Sequence, residues 1–486
     1  MTAQTILPAN SVVDSGFDVD NSVRFDRGST PTMIRTIPDD ESSTGNRVRW
    51  TFSTWIKRSS LGTLQALFGS YQSANYHTFI GFNTSDQLDV FDQYNGSKNG
   101  QRITNRRFRD TSAWYHLCII WDKNNGTDGL KIRIFVNGLE ESSFATSSVP
   151  SNSTTMGADN QDYSIGKQEG VGNHLDAYLC ETVFQDGVAQ NPVDALGEFD
   201  DDSAIFKPID PSGVTFGTNG FYLDFKASGN LGNDANGGTD YSETNIAATD
   251  QTTDTCTNNF ATINPLDNFF AVAVLTEGNT KVVTNATAEA MSTGTFALSA
   301  GRWYFEVDII ARGSTAQVGI TPHGSKVMSG ISGKAGDVTP HARAYLNTGK
   351  VQTGDGSGGQ TDLATLSSFT TGDIIGVYVD LEDMEFYVSK NGTLQNSGTG
   401  LTITALDANE HDISGGSGHY LAYVGDNTSG TAAQMEVNFG NPHQALSTAV
   451  SDDNGFGAFE YSPNITGDST AKKFYAICTK NLAEFG

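Results

Sequence analysis

Lys131-Ile132-Arg133-Ile134-Phe135-Val136-Asn137-Gly138 decides the fold class of this chain. Its alternation places Ile132, Ile134 and Val136 on one face of a strand, and Asn137-Gly138 supplies the positive φ angles of a tight hairpin turn. The device recurs in Met384-Glu385-Phe386-Tyr387-Val388-Ser389-Lys390-Asn391-Gly392, where residues 384, 386 and 388 share a face ahead of a second Asn-Gly turn. Outward from these two hairpins the pattern persists. Apolar residues fall in short alternating runs rather than helical stripes, among 53 glycines, only 12 prolines and many Ser, Thr, Asn and Asp residues. Short strands joined by turns imply an all-β protein.

A second shared element divides the chain into two antiparallel sandwiches in series. Trp114-Tyr115-His116-Leu117-Cys118-Ile119-Ile120-Trp121 opens a strand upstream of the first hairpin, and Trp303-Tyr304-Phe305-Glu306-Val307-Asp308-Ile309-Ile310 does the same upstream of the second. The expected organisation is an arm over 1–22, a sandwich over 23–225, and an ordered polar connector over 226–267 that packs through Phe260 and Leu266. A second sandwich over 268–445 and a tail over 446–486 complete it. The tail is expected to return to a sheet or to meet a neighbouring subunit.

Length and charge narrow the function. The 486 residues allow two to four domains on the usual size prior. With 29 Lys+Arg against 56 Asp+Glu, the formal net charge of −27 disfavours nucleic acid and anionic membranes as partners. The start, MTAQTILPANSVVDSG, has no basic region before an apolar core, and the longest apolar run, Phe269 to Leu275, is too short to span a bilayer. The expectation is a protein made in a cytoplasm, without membrane insertion. Cys118, Cys180, Cys256 and Cys478 are widely spaced, with no CxxC or Cys/His cluster, and read as buried or incidental thiols.

Thr257-Asn258-Asn259-Phe260-Ala261-Thr262-Ile263-Asn264-Pro265-Leu266-Asp267-Asn268, preceded from Asn219 by a short strand and a Gly/Asn/Asp turn, resembles a recurring segment in virion structural proteins of tailed phages, marine ones especially. Cys256 stands where that family usually carries proline. Residues 23–225 resemble the laminin-G/concanavalin-like jelly roll, through Thr51 to Arg58, the Trp114 strand, the Val136-Asn137-Gly138 turn and His174 to Glu181. Residues 268–445 are similar to a SPRY-type sandwich, through Gly301 to Val307, Gly372 to Asp380 and Val437-Asn438-Phe439-Gly440. The resemblance implies a virion surface protein, made in the host cytoplasm and assembled with other virion proteins. As an adhesin of the tail-fibre or appendage type it would bind a host cell-surface glycan or protein, as a homo-oligomer for which a trimer is expected. The alternative is a capsid decoration, head-fibre or cement protein; a glycan hydrolase is a remote third.

Candidate residues follow from chemistry. Phe91-Asp92-Gln93-Tyr94-Asn95 and Tyr345-Leu346-Asn347 mix rings that would stack on sugars with Asp92, Asn95 and Asn347 to bind hydroxyls, although such rings also cover sandwich edges. Arg102, Arg106, Arg107 and Arg109 would meet an acidic polysaccharide or subunit, or simply line a strand's exposed face. Asp122, Asn124 and Asp128, and likewise Asp234, Asn236 and Asp240, space oxygen ligands around glycine as calcium loops do. Neither loop has the distal bidentate glutamate, and both suit plain hairpin turns. No other cofactor is implied. Glu306-Val307-Asp308 imitates the start of a β-glucanase carboxylate strand, but Ala311 and Arg312 follow where a third acid is needed. The glycine-rich stretch around Ser357 lacks a serine-hydrolase pattern and reads as a surface turn. No enzyme is expected.

Overall fold

A computed structural model describes residues 16–38, 45–158, 160–193, 195–322, 342–354, 360–403, 418–426, 430–466 and 471–486. The stretch around Ser357 lies outside them. Strand makes up 47% of the chain and helix 5%, which establishes the all-β class with antiparallel sheets. Two compact units divide the molecule, one ending at Asn258 and the other beginning at Asn259.

The N-terminal unit packs two sheets. The first runs Leu139–Glu140, Ile132–Val136, Tyr115–Asp122, Arg49–Arg58, Ala177–Asp186, Ser22–Phe25 and Gln251–Thr252. The second runs Phe144–Ser148, Ser97–Arg107, Gln87–Tyr94, Tyr76–Phe82, Gln65–Ser73, Gln161–Ile165, Thr32–Ile37 and Ser242–Thr244. Ser242–Thr244 and Gln251–Thr252 therefore form edge strands of this unit, and Phe17 and Val19 pack beside Trp55 and Trp114. Ile132, Ile134 and Val136 enter the core together, while Arg133 on the opposite face pairs with Glu140. Asn137 and Gly138 adopt φ of 48° and 74°, the left-handed geometry that a two-residue hairpin requires. Stacked Trp50–Trp121 and Phe52–Phe68 pairs, with centroids 5.6 and 4.6 Å apart, fill the space between the sheets.

In the C-terminal unit one sheet runs Ile263–Phe270, Ala290–Gly294, Tyr420–Asp426, Ala316–Pro322, Arg343–Leu346, Lys350–Gly354 and Gln360–Thr365. The facing sheet runs Val274–Thr276, Lys281–Val283, Gln434–Asn438, Arg302–Ala311, Ile374–Asp380, Glu385–Lys390 and Thr393–Leu394. Trp303, Phe305, Val307 and Ile309 point into the core, joined by Phe386 and Val388 from the second quoted hairpin. Tyr304 and Glu306 necessarily point the other way. That outer face carries a third layer: Tyr475–Ala476 pairs in parallel with Arg302–Ala311, and Phe459 and Phe474 pack on Tyr304 and Tyr378. Phe260 is buried in this layer, and Leu266 is half-buried. The short helix Thr479–Phe485 follows.

Candidate functional site

The outward face of the second sheet of the N-terminal unit brings aromatic and polar side chains together in rows. Strand register aligns Gly69, Phe79, Phe91 and Gln101 across four strands, and the next row holds Tyr71, His77, Gln93 and Lys98. Phe79 and Phe91, only 2% and 8% exposed, stack at 5.1 Å, the buried His77 meets Phe91 edge-on at 5.6 Å, and the exposed Lys98 lies with its ammonium over the Phe91 ring. Gln101 donates to Asp89 at 2.8 Å beside them. Desolvation holds the Lys98 ammonium down to about 8 and raises the Asp89 carboxyl. Gly69 and Gly81 admit close backbone approach: a Cβ at either would lie 2.4 or 2.2 Å from the carbonyl oxygen of Thr78 or Gln65. A cavity of about 10 Å³ beside Tyr71, His77, Phe79, Gln168 and Glu169 is too small for more than a water, so any ligand would lie on the face rather than in a pocket.

The first sequence candidate is split by strand alternation. Phe91 faces outward, whereas Asp92 is fully buried on the inner side, accepting from Thr78 Oγ1 and Thr155 N at 2.8 Å and from Asn99 Nδ2 at 2.9 Å. Desolvation pushes Asp92 up to about 6. Tyr94 is exposed at the strand end, edge-on to Tyr76, and Asn95 forms the hairpin turn at φ 49°. In the other unit Tyr345 is fully buried, donates to the Ser367 carbonyl and packs on Phe369. Asn347 is buried as well, with Nδ2 donating to the Ser314 carbonyl at 3.1 Å. Sequence reading missed Phe79, His77, Asp89, Lys98 and Gln101. Their shared face depends on the register of separate strands, and no single stretch displays it.

The arginines separate in the same way. Arg102 is buried, bonded to Ser147 Oγ and stacked on Phe144. Arg106 pairs with Glu141, Arg109 Nε pairs with Asp86 at 2.8 Å, and Arg107 is exposed. In the first candidate calcium loop Asp122 meets Arg49 at 3.4 Å, Asp128 meets Lys131 at 2.7 Å and Asn124 is exposed. In the second, Asp234 accepts from the backbone N–H of Tyr222 and of Asn236, and Arg35 lies 3.7 Å from it. Asp240 accepts from Asp234 N and Asn230 Nδ2, and Asn236 lines a cavity of about 200 Å³ together with Arg35. These carboxylates thus already face cations or N–H donors. Among the described residues, Asp380, Asp383 and Glu385 bring three carboxylates within metal-binding distance of one another, and Lys472 Nζ sits 2.7–2.9 Å from all three.

Glu306 and Asp308 border a cleft of about 80 Å³ with Glu436, His443 and Glu460. Both Glu306 oxygens are engaged: they accept from Glu460 N and Tyr461 N at 2.8 Å and from Tyr304 Oη at 2.9 Å. Glu436 binds His443 Nδ1 at 2.7 Å and Gln444 Nε2 at 2.6 Å, and His443 Nε2 reaches Glu277 at 3.0 Å. Asp308 is the cross-strand neighbour of Glu436; desolvation first, and that negative charge second, raise its carboxyl. Glu306 and Glu436 are thus bonded to residues that follow strand Gln434–Asn438 and hold those segments in place.

Residues 34–190 match a laminin-G family model described as the concanavalin A-like lectin/glucanases superfamily. The rows around Phe79 and Phe91 lie inside that match. Solved structures similar to the chain share little sequence. The SPRY domain of human HERC1 is 15% identical, covering 36% of this chain and 96% of that one at a TM-score of 0.27. Domains LG4-5 of the mouse laminin alpha1 chain are 10% identical, covering 96% and 94% at 0.30. A SAP-like heptameric pentraxin from Limulus polyphemus is 18% identical, covering 35% and 77% at 0.25. Among curated proteins no match is found.

Proposed function

We propose that this chain is an adhesin on the surface of a tailed-phage virion, in a tail fibre, tail tip or appendage, and that its N-terminal sandwich binds a glycan on the host cell. The observation that carries this reading is the exposed Tyr94, edge-on to Tyr76 at 5.3 Å, beside the exposed Lys98 and the half-buried Gln93 at the end of a lectin-like sheet whose Phe79–Phe91 pair is buried beneath them. A sugar ring presents one apolar face and a rim of hydroxyls, which suits an exposed tyrosine ring bordered by amide and ammonium groups. Lys98 favours an acidic sugar. A shallow face gives weak single contacts, so several copies, a trimer in the simplest arrangement, would gain affinity through effective concentration. The phage assignment rests on the Thr257 to Asn268 segment.

Labelled protein added to intact bacterial cells and, separately, to purified capsids tests the proposal. Saturable binding to cells but not capsids is expected, with Tyr94→Ala and Lys98→Glu each weakening it by about tenfold or more. Binding to capsids but not cells would move the protein to a decoration or cement role. Release of reducing ends from host polysaccharide would point instead to a hydrolase. A chelator arm reports whether the Asp122 or Asp234 loop needs calcium.

A further inference from the structure

Two of the four free cysteines, widely separated in sequence, face each other in the N-terminal unit. Cys180 Sγ lies 3.6 Å from Cys256 Sγ. Cys180 sits in the middle of the strand Ala177–Asp186, fully buried within an apolar cluster of Trp55, Trp114 and Tyr178. Beside it the strand bulges: its register against Arg49–Arg58 shifts between Cys180 and Val183, and Glu181 takes a φ of 47°. Cys256 is half-buried in a turn closed by reciprocal backbone hydrogen bonds between Thr255 and Asn258.

That turn is held on both sides. Thr257 Oγ1 accepts from Val19 N at 3.0 Å and donates to Val19 O at 3.1 Å. Asp254 receives Lys57 Nζ at 2.8 Å and Trp114 Nε1 at 3.1 Å. The two sulfurs are thus brought together by contacts that do not involve them, and a closure of about 1.5 Å would bring them to the bonding distance of about 2.05 Å. Cys118 packs with Ile120 and Phe135 in a separate cluster, and Cys478 belongs to the other compact unit.

We propose that Cys180 and Cys256 form a disulfide in an oxidising environment, with a small-molecule disulfide such as oxidised glutathione as the oxidant. The half-buried Cys256 thiol loses its proton and attacks one sulfur of the oxidant. One glutathione leaves as thiolate and takes up a proton, and a mixed disulfide remains on Cys256. Cys180 then loses its proton, attacks Cys256 Sγ and expels the second glutathione. Two protein thiols are oxidised by two electrons, and one small disulfide is reduced to two thiols. Burial raises both thiol pKa values, so the reaction is slow near neutrality and accelerates with pH. The bond ties the turn that ends the N-terminal unit to the middle of its first sheet.

The test incubates the full chain with oxidised glutathione at pH 7 and at pH 9, then combines intact mass, unreduced peptide mapping and thermal unfolding. The expected result is a Cys180–Cys256 linked peptide, loss of two titratable thiols, faster formation at pH 9, and a rise of about 5–10 °C in the thermal midpoint of the N-terminal unit. A reductant should reverse the rise. Cys256→Ser, at a half-buried position, should fold and show neither the link nor the rise; Cys256→Ala serves if serine is not tolerated. A stable glutathione adduct on Cys256 without the link, a link through Cys118 or Cys478, or a link with no gain in midpoint would each overturn the proposal.

Discussion

The two sandwiches cover the outer faces of their sheets by different means. In the C-terminal unit the row beginning with Tyr304 and Glu306 lies beneath the chain that follows residue 440: Phe459 and Phe474 pack on the rings, and backbone N–H groups of Glu460 and Tyr461 bind Glu306. In the second sheet of the N-terminal unit Phe79 and Phe91 are buried as well, but with the exposed Lys98 of the adjoining strand over Phe91, while Leu196, Phe206 and Phe216 pack on the first sheet. Both faces arise from the same alternation of side chains along strands. What separates them is whether a distant segment or a side chain of the adjoining strand lies over the rings.

The face covered by a distant segment should yield the largest effect. Phe474, fully buried against Tyr378 and Tyr387, holds the third layer down, so Phe474→Ala should cost about 3–5 kcal/mol in the C-terminal unit. Denaturant unfolding would give the magnitude, and limited proteolysis should show early cleavage after residue 440 with the N-terminal unit intact. Unchanged protection would mean that the layer does not depend on this ring.

A smaller effect concerns pH. Desolvation raises Asp176 and Glu181 to about 7 and Asp92 to about 6, all in the N-terminal unit. Each binds its proton more tightly folded than unfolded, so stability is lowest above the folded values and rises as pH falls from about 8 toward 5, on the order of 1–3 kcal/mol. Thermal melts across that range would check the sign. Glu181→Gln should flatten the trend, because one Glu181 oxygen accepts from Tyr222 Oη at 2.6 Å while the other makes no hydrogen bond. The smallest effect should come from Arg107→Ala at the exposed end of its strand, which should shift stability by less than about 0.5 kcal/mol. Measured loss of cell binding in that variant would extend the recognition face toward this edge.

Particular residues mark how far the sequence could be read. Ile132, Ile134 and Val136 share a core face as their spacing requires, and both Asn-Gly pairs turn in the left-handed region. The parallel drawn between Trp114 and Trp303 holds less well. Trp303 fills the main core of its sandwich, whereas Trp114 lies in a satellite cluster and donates to Asp254. The grouping of Phe91 with Asp92 failed because neighbours along a strand point to opposite faces. Glu306, the first acid of the Glu306–Asp308 pattern, proved to be a latch, and the segment it holds lies far along the chain.

The sequence by itself determined the all-β class, the hairpins and the inward rows, because strand alternation and turn chemistry act over a few adjacent residues. Only the tertiary structure decided what covers each outward row, that Lys98 lies over Phe91, that Lys472 occupies the carboxylate trio, and that Cys180 meets Cys256. Each of these depends on which strand or segment lies alongside which other, and a local period carries no information about that choice.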